Sequence, residues 1–244
     1  MQLNTDNPPG RPGMKANRSP GARGLRSVRW LWPLCAALLA GCATMETEPE
    51  EPEITEAAID AQNRYIELVE KAQGDYASVD YAEMRELYTR TGFYRPYGGR
   101  EARLVDRMHE ALERGDENEA LDLAGRILQH NYVSLEAHYV AWRAYEAMDD
   151  SRRAERHHHV LRALFDAIAE SGDGDARSSA FHVISPREMQ AFLALYNLDP
   201  LGSEVHADEL GSHDRVTVYD PEEDEEFELW FDISIPTNMG LDGV

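Results

Sequence analysis

Two turn signals recur 34 residues apart in this chain: Gly115-Asp116 and Asp149-Asp150. Ala120 and Ile127 recur at the same interval as Ala154 and Leu161. Around these turns, apolar residues come at steps of three and four. Leu104, Val105, Met108, Ala111 and Leu112 make one run, and Ala120, Leu121, Ala124, Ile127 and Leu128 the next. Ala141, Trp142, Tyr145 and Met148 follow behind Ser134, a good N-cap residue, and Ala154, Leu161, Phe165 and Ile168 close the series. Such steps place the apolar side chains on one face of a helix. Connections this short oblige consecutive helices to run antiparallel, so the spacing predicts stacked helix pairs.

Thirty-four residues is the length of a tetratricopeptide repeat, in which a small residue opening the second helix lets the paired helices approach closely. The match is degenerate, because Trp142 stands where a small residue is usual and Ala111 where an aromatic one is. Residues 54–171 are therefore expected to form a tetratricopeptide-like helical domain. Its first helix carries Ile54, Ala58, Ala61, Tyr65, Leu68 and Ala72 as one stripe and ends at Gly74-Asp75. A second, over about 79–90, turns Tyr81, Met84, Leu87 and Tyr88 inward, and Thr91–Arg100 is turn-rich.

After Ser171 the pattern changes. Gly172-Asp173-Gly174-Asp175 is a loop and Phe181–Ile184 a short β-rich run. Ser185-Pro186-Arg187-Glu188 combines an N-cap, a first-turn proline and a capping-box glutamate, opening a helix to about Asn197. Arg215–Tyr219 and Phe227–Phe231 alternate with period two around the acidic loop Pro221–Glu226, as in a hairpin. A third strand falls either at Ile233 and Ile235 or over Val205–Leu210. The expected fold class is mainly α: tetratricopeptide-like antiparallel helix pairs, then a small C-terminal α+β unit with a β-hairpin (residues 172–244), packed on or following the helices.

Gly172-Asp173-Gly174, Ala180–Ser185, Leu229–Pro236 and Tyr94–Gly98 together resemble an uncharacterised bacterial family known only as a domain of unknown function, with a tetratricopeptide-like N-terminal half. The resemblance runs from about Tyr76 to Pro236. It implies no activity, cofactor or catalytic residue. Many members look secreted or lipid-anchored.

The N-terminus reads as an address. Residues 1–29 carry Arg11, Lys15, Arg18, Arg23, Arg26 and Arg29 against Asp6 alone, and the uncharged run from Trp30 to Ala40 follows. Eleven residues are too few to cross a bilayer, which takes about 20; a basic, apolar, small-residue order is that of a secretory signal peptide. Leu39-Ala40-Gly41-Cys42 resembles the lipobox of bacterial lipoproteins. That resemblance implies removal of residues 1–41, lipid on the Cys42 sulfur and an acylated new amino terminus. Several acyl chains, at about 0.8 kcal/mol per buried CH₂, make a stable anchor. Ala43 after the lipidated residue implies the outer membrane, facing the periplasm, by resemblance to the sorting rule of enteric bacteria. Met1 and Met14 are both possible starts, since Met14-Lys15 onward is itself a complete signal. Residues 42–53, acidic and holding Pro49 and Pro52, read as a flexible tether.

The net charge of −22 arises from 24 basic and 46 acidic residues. Residues 1–41 hold six of the basic and one of the acidic ones, which leaves 18 against 45, or −27, after cleavage. Such acidity argues against nucleic-acid partners. Cys35 and Cys42 are the only cysteines, so no disulfide cross-links the body.

No motif announces catalysis. Residues 42–244 hold no GxSxG, HExxH or Walker loop. His157, His158 and His159 point about 100° apart on a helix and cannot converge on one metal. A calcium loop beginning at Asp173 or Asp175 lacks its last acid, because Ile184 and Pro186 stand there. No enzyme, cofactor or metal is expected. Tyr76, Tyr81, Tyr88, Phe93, Tyr94 and Tyr97 put six rings within 22 residues. They either cement the first helices to the rest or line a groove, in which case Tyr88, Phe93, Tyr94 and Tyr97 are the partner contacts. The expected function is a non-catalytic scaffold or binding module for a protein or peptide of the envelope; the alternative is a periplasmic glycan-binding or glycan-acting protein with an aromatic and acidic cleft.

Overall fold

The computed structural model describes residues 55–241, so the leader, Cys42 and the acidic tether lie outside the described residues. The chain runs as helices α1 (Glu56–Gly74), α2 (Tyr81–Tyr88), α3 (Gly99–Glu113), α4 (Glu117–Leu128), α5 (Leu135–Ala147) and α6 (Ser151–Ala169). Strand β1 (Phe181–His182), helix α7 (Pro186–Leu195), strands β2 (Asp199–Asp208), β3 (Gly211–Asp220) and β4 (Glu225–Asp232), and helix α8 (Ser234–Leu241) complete it. The fold is mainly helical, with the sheet confined to the C-terminal third.

The 34-residue echo reaches the hydrogen bonds. Asp116 accepts from the Glu119 amide at 3.0 Å and caps α4; Asp150 accepts from the Arg153 amide at 3.0 Å and caps α6. The chain leaves α3 and α5 through left-handed residues, Gly115 at φ 71° and Asp149 at φ 58°. In both turns the next amide closes the helix, Asp116 to the Ala111 carbonyl and Asp150 to the Tyr145 carbonyl, each at 2.9 Å. Ala120 and Ala154 are both buried.

Two clusters make the core. One lies among α3, α4 and α5 and includes Val105, Met108, Leu123, Ile127 and Val140. The other runs from Tyr65 and Met84 through Val160 and Leu164 to Phe181, Phe192, Val218 and Phe231. Helices α1, α2 and α6 thus share one core with α7 and the sheet, and the described residues all fall in one compact unit.

The sheet has the order β1-β4-β3-β2. β3 and β4 form the antiparallel hairpin expected from their alternation, and β1 joins β4 in parallel through Phe181 opposite Phe231. Of the two candidates for a further strand, the upstream one pairs: β2 lies antiparallel to β3, with a bulge between Pro200 and Gly202. Ile233 and Ile235 are not in a strand, because the Asp232 carboxylate accepts from the Ser234 amide at 2.8 Å where α8 begins. The 172–175 loop is structural: Gly174 sits at φ 74°, where a Cβ would lie 2.5 Å from the Phe181 ring. Its carbonyl accepts from the Trp230 amide at 2.9 Å, while Asp173 accepts from the Asp175 amide and the Ser179 hydroxyl.

A buried ion pair ties the two parts. Arg85 on α2 donates from Nε and Nη2 to the two oxygens of Glu188 on α7, each at 2.9 Å, and from Nη2 to the His182 carbonyl at 2.9 Å. Glu188 also accepts from the Ile184 amide at 2.7 Å. Ser185 caps the Glu188 amide as expected, but the Glu188 side chain turns to Arg85 instead of closing the capping box.

Candidate functional site between α3, α5 and α7

Three helices begin around one cleft. Each brings an acid in its first turn: Glu101 on α3, Glu136 on α5 and Glu188 on α7. The cavity is about 40 Å³, and Tyr88, Tyr94, Arg95, Asn131, Ser134, Ser185 and Arg187 complete its polar and aromatic lining. On the usual scale of one water per 10–15 Å³, it has room for about three waters or one small headgroup.

Among the described residues Glu188 is satisfied by Arg85 and the Ile184 amide, whereas Glu101 and Glu136 have fewer donors. Glu101 accepts from Asn131 Nδ2 at 2.8 Å, while Asn131 Oδ1 is buried without a partner. Arg187 lies 3.6 Å from Glu136 and the His109 imidazole 3.9 Å, and Arg187 is shared with Asp106 at 3.5 Å. Burial pushes the Glu136 carboxyl up to about 7; Arg187 pulls the other way, and Glu101 and Asp106 add to the rise. Burial also raises Glu101, against the Asn131 hydrogen bond and the charges of Arg187 and His130. It lowers His109. Partial burial, and not a neighbouring acid, is thus the main cause of both rises.

The aromatic stretch is split by the fold. Tyr94 is buried to 1% exposure, and its hydroxyl donates to the Ile184 carbonyl at 2.5 Å. Tyr88 is buried against Tyr65 and Tyr94, with ring centres 5.6 and 5.5 Å away. Both reach the cleft as part of its wall and form no open groove. Phe93 at 36% exposure and Tyr97 at 58% lie on the surface and do not line the cleft. The four rings expected as partner contacts are thus divided, with Tyr88 and Tyr94 buried against α1 and the loop before α7 and Phe93 and Tyr97 on the surface.

The histidine run fans out. His157 Nδ1 meets His138 Nδ1 at 3.0 Å, His158 packs on Trp142 and His159 on Tyr76. His138 donates from Nε2 to the Tyr132 carbonyl at 2.8 Å, so its Nδ1 accepts from His157. Burial holds both neutral, His138 down at about 3 and His157 at about 4. Glu101, Asn131, Glu136 and Arg187 carry no sequence signal of their own. An acid in a helix's first turn reads as a response to the helix dipole, and only the tertiary fold makes three of them meet.

Fold and cleft together define the class: a two-pair helical body sharing its core with an α+β unit, with a cleft lined by acids, arginines and aromatic rings at the junction. The chain belongs to the family described as a domain of unknown function (DUF4919), whose model matches residues 52–239. No curated protein and no solved structure matches it. Among the described residues, no helix is long and apolar enough to cross a membrane.

Proposed function

We propose that this chain is a cell-envelope lipoprotein, held on the outer membrane through lipid on Cys42 and facing the periplasm, that binds a small polar ligand in the α3/α5/α7 cleft without altering it. The observation that carries the binding reading is the cleft itself, a concave site with converging polar groups and two carboxyls perturbed by burial. A peptide-binding aromatic groove has less support, since Tyr81, Tyr88 and Tyr94 are buried in the core.

The test of the cleft is nuclear magnetic resonance on the full mature chain in detergent, titrated with the dialysable fraction of cell envelopes. Resonances of Glu101, Asn131, Glu136 and Arg187 are expected to move together; if they stay still while others shift, the site is elsewhere. For the anchor, Cys42→Ser should move the protein from the membrane to the soluble fraction, and unchanged fractionation would overturn it.

A further inference from the structure

We propose that the open edge of the sheet, strand β2, pairs with β2 of a second copy of this chain and joins two four-stranded sheets into one. β2 ends the order β1-β4-β3-β2, and its outer side has no backbone partner among the described residues. Edges of this kind are usually guarded by lysine, proline or a bulge. Here Pro200 and the bulge before Gly202 guard one end only, and residues 202–208 hold no lysine or arginine. In their middle stands Val205, 59% exposed, opposite Asp214 and on the same face as the buried Phe231.

The register carries the proposal. Residues opposite each other in a ladder share a face, so a two-fold axis that keeps the joined sheet continuous passes through a residue and not between two. Through Glu204 it would set that acid against itself, and through His206 it would set Glu204 against Asp208. Through Gly202 or Ser203 the ladder would cross Pro200, which has no N–H, and the bulge. Through Ala207 it would reach only residues 206–208 before the strand ends. Through Val205 no like charges meet: Val205 lies against Val205, Ser203 against Ala207 and Asp208 against Gly202. Each Glu204 then faces His206 of the other copy, an acid opposite an imidazole that can donate to it. Arg215 on β3, 2.6 Å from Glu204, adds a cation behind each pair. The strand is thus complementary to itself in one register. The acidic segment 42–53 is a poorer occupant, because it would bring Glu46, Glu48, Glu50, Glu51 and Glu53 toward Glu204 and Asp208.

Disulfide trapping reads this register. Across the axis the two Val205 Cα atoms would lie about 4.5 or 5.5 Å apart, within disulfide reach, whereas the two Ser203 Cα atoms would be at least about 13 Å apart. In whole cells making the full chain and oxidised with copper phenanthroline, Val205→Cys should give linked dimer at least tenfold above Ser203→Cys, Ala207→Cys and the wild type, whose cysteines are Cys35 and Cys42. Ser203→Cys mixed with Ala207→Cys should link where neither does alone. Adding His206→Glu to Val205→Cys should cut the yield at least fivefold, and adding Glu204→His as well should restore it, with circular dichroism of each purified variant checking the fold. A Val205→Cys yield no higher than that of Ser203→Cys would mean chance collision and overturn the proposal. So would a yield unmoved by His206→Glu, or Val205→Cys linked to a different protein, which would assign the edge to another strand.

Discussion

The pH dependence of stability should report on Glu136. Its folded pKa is raised from 4.5 to about 7 by burial. The native state therefore favours the protonated form, so the stability this group contributes is complete below about pH 4.5 and is lost as pH rises through 7. Glu136→Gln keeps the shape and removes the charge. It is expected to stabilise the chain at pH 8 by on the order of 2–3 kcal/mol, and to change little at pH 4.5. Urea titrations at the two pH values check this; an equal effect at both would mean that the ionised carboxylate is not the cause. Arg85 behaves oppositely. Arg85→Met leaves the Glu188 carboxylate buried at 5% side-chain exposure without its cation, at a cost of about 3–5 kcal/mol. Arg85→Met with Glu188→Leu should recover most of that loss, since removing both charges leaves no unpaired ion. A double variant as unstable as the single one would show that hydrogen bonds to the His182 carbonyl and Ile184 amide, rather than the ion pair, hold the junction.

At the scale of the elements, the repeat predicts its own improvement. Gly115 and Asp149 occupy the same left-handed turn position, 34 residues apart, and only the first is glycine. An L-residue in that region costs roughly 1–2 kcal/mol, less for aspartate and partly offset by glycine's freedom when unfolded. Asp149→Gly should thus stabilise by about 0.5–1 kcal/mol, read as a higher urea midpoint with an unchanged slope; a lower midpoint would mean that the Asp149 side chain has a role of its own. The same comparison shows why the helix pairs were legible. Turn, cap and stripe are local signals, and Gly115, Asp116 and Ala120 carry them within six residues. The hairpin was legible for the same reason, through the alternation in 215–219 and 227–231. β2 was harder: it is exposed along nearly its whole length, so no buried alternate residues mark it, and its partner β3 decides the pairing. The cleft was not legible, because Glu101, Asn131, Glu136 and Arg187 meet only when α3, α5 and α7 dock. The places of Tyr88 and Tyr94 were not legible for a related reason: a run of rings looks alike whether it faces solvent or, as here, Tyr65 and the Ile184 carbonyl.

At the scale of the whole molecule, the shared core makes a claim about cooperativity. Leu164 and Ile168 of α6 belong to the same cluster as Phe192 and Phe231, and the Phe165 ring lies 5.1 Å from that of Phe192. Cutting the chain after Ser171 would expose the α6 face and leave Arg85 without Glu188, so the helical part is not expected to fold alone. Helix pairs that touched only their neighbours would instead lose structure stepwise. Two tryptophans remain after residue 41, one in each part: Trp142 on α5, packed on His158, and Trp230 on β4, between Arg177 and Arg215. Trp230→Phe leaves a fluorescence probe in the helical body of the processed chain, and Trp142→Phe leaves one in the sheet. Each variant should unfold in urea with the same midpoint by its remaining tryptophan as by far-ultraviolet circular dichroism. A sheet probe that melts earlier than the helical signal would mean that the α+β unit is a separable appendage. The cleft at α3, α5 and α7 would then open without unfolding the helices, and ligand affinity would fall with the sheet transition instead of the global one.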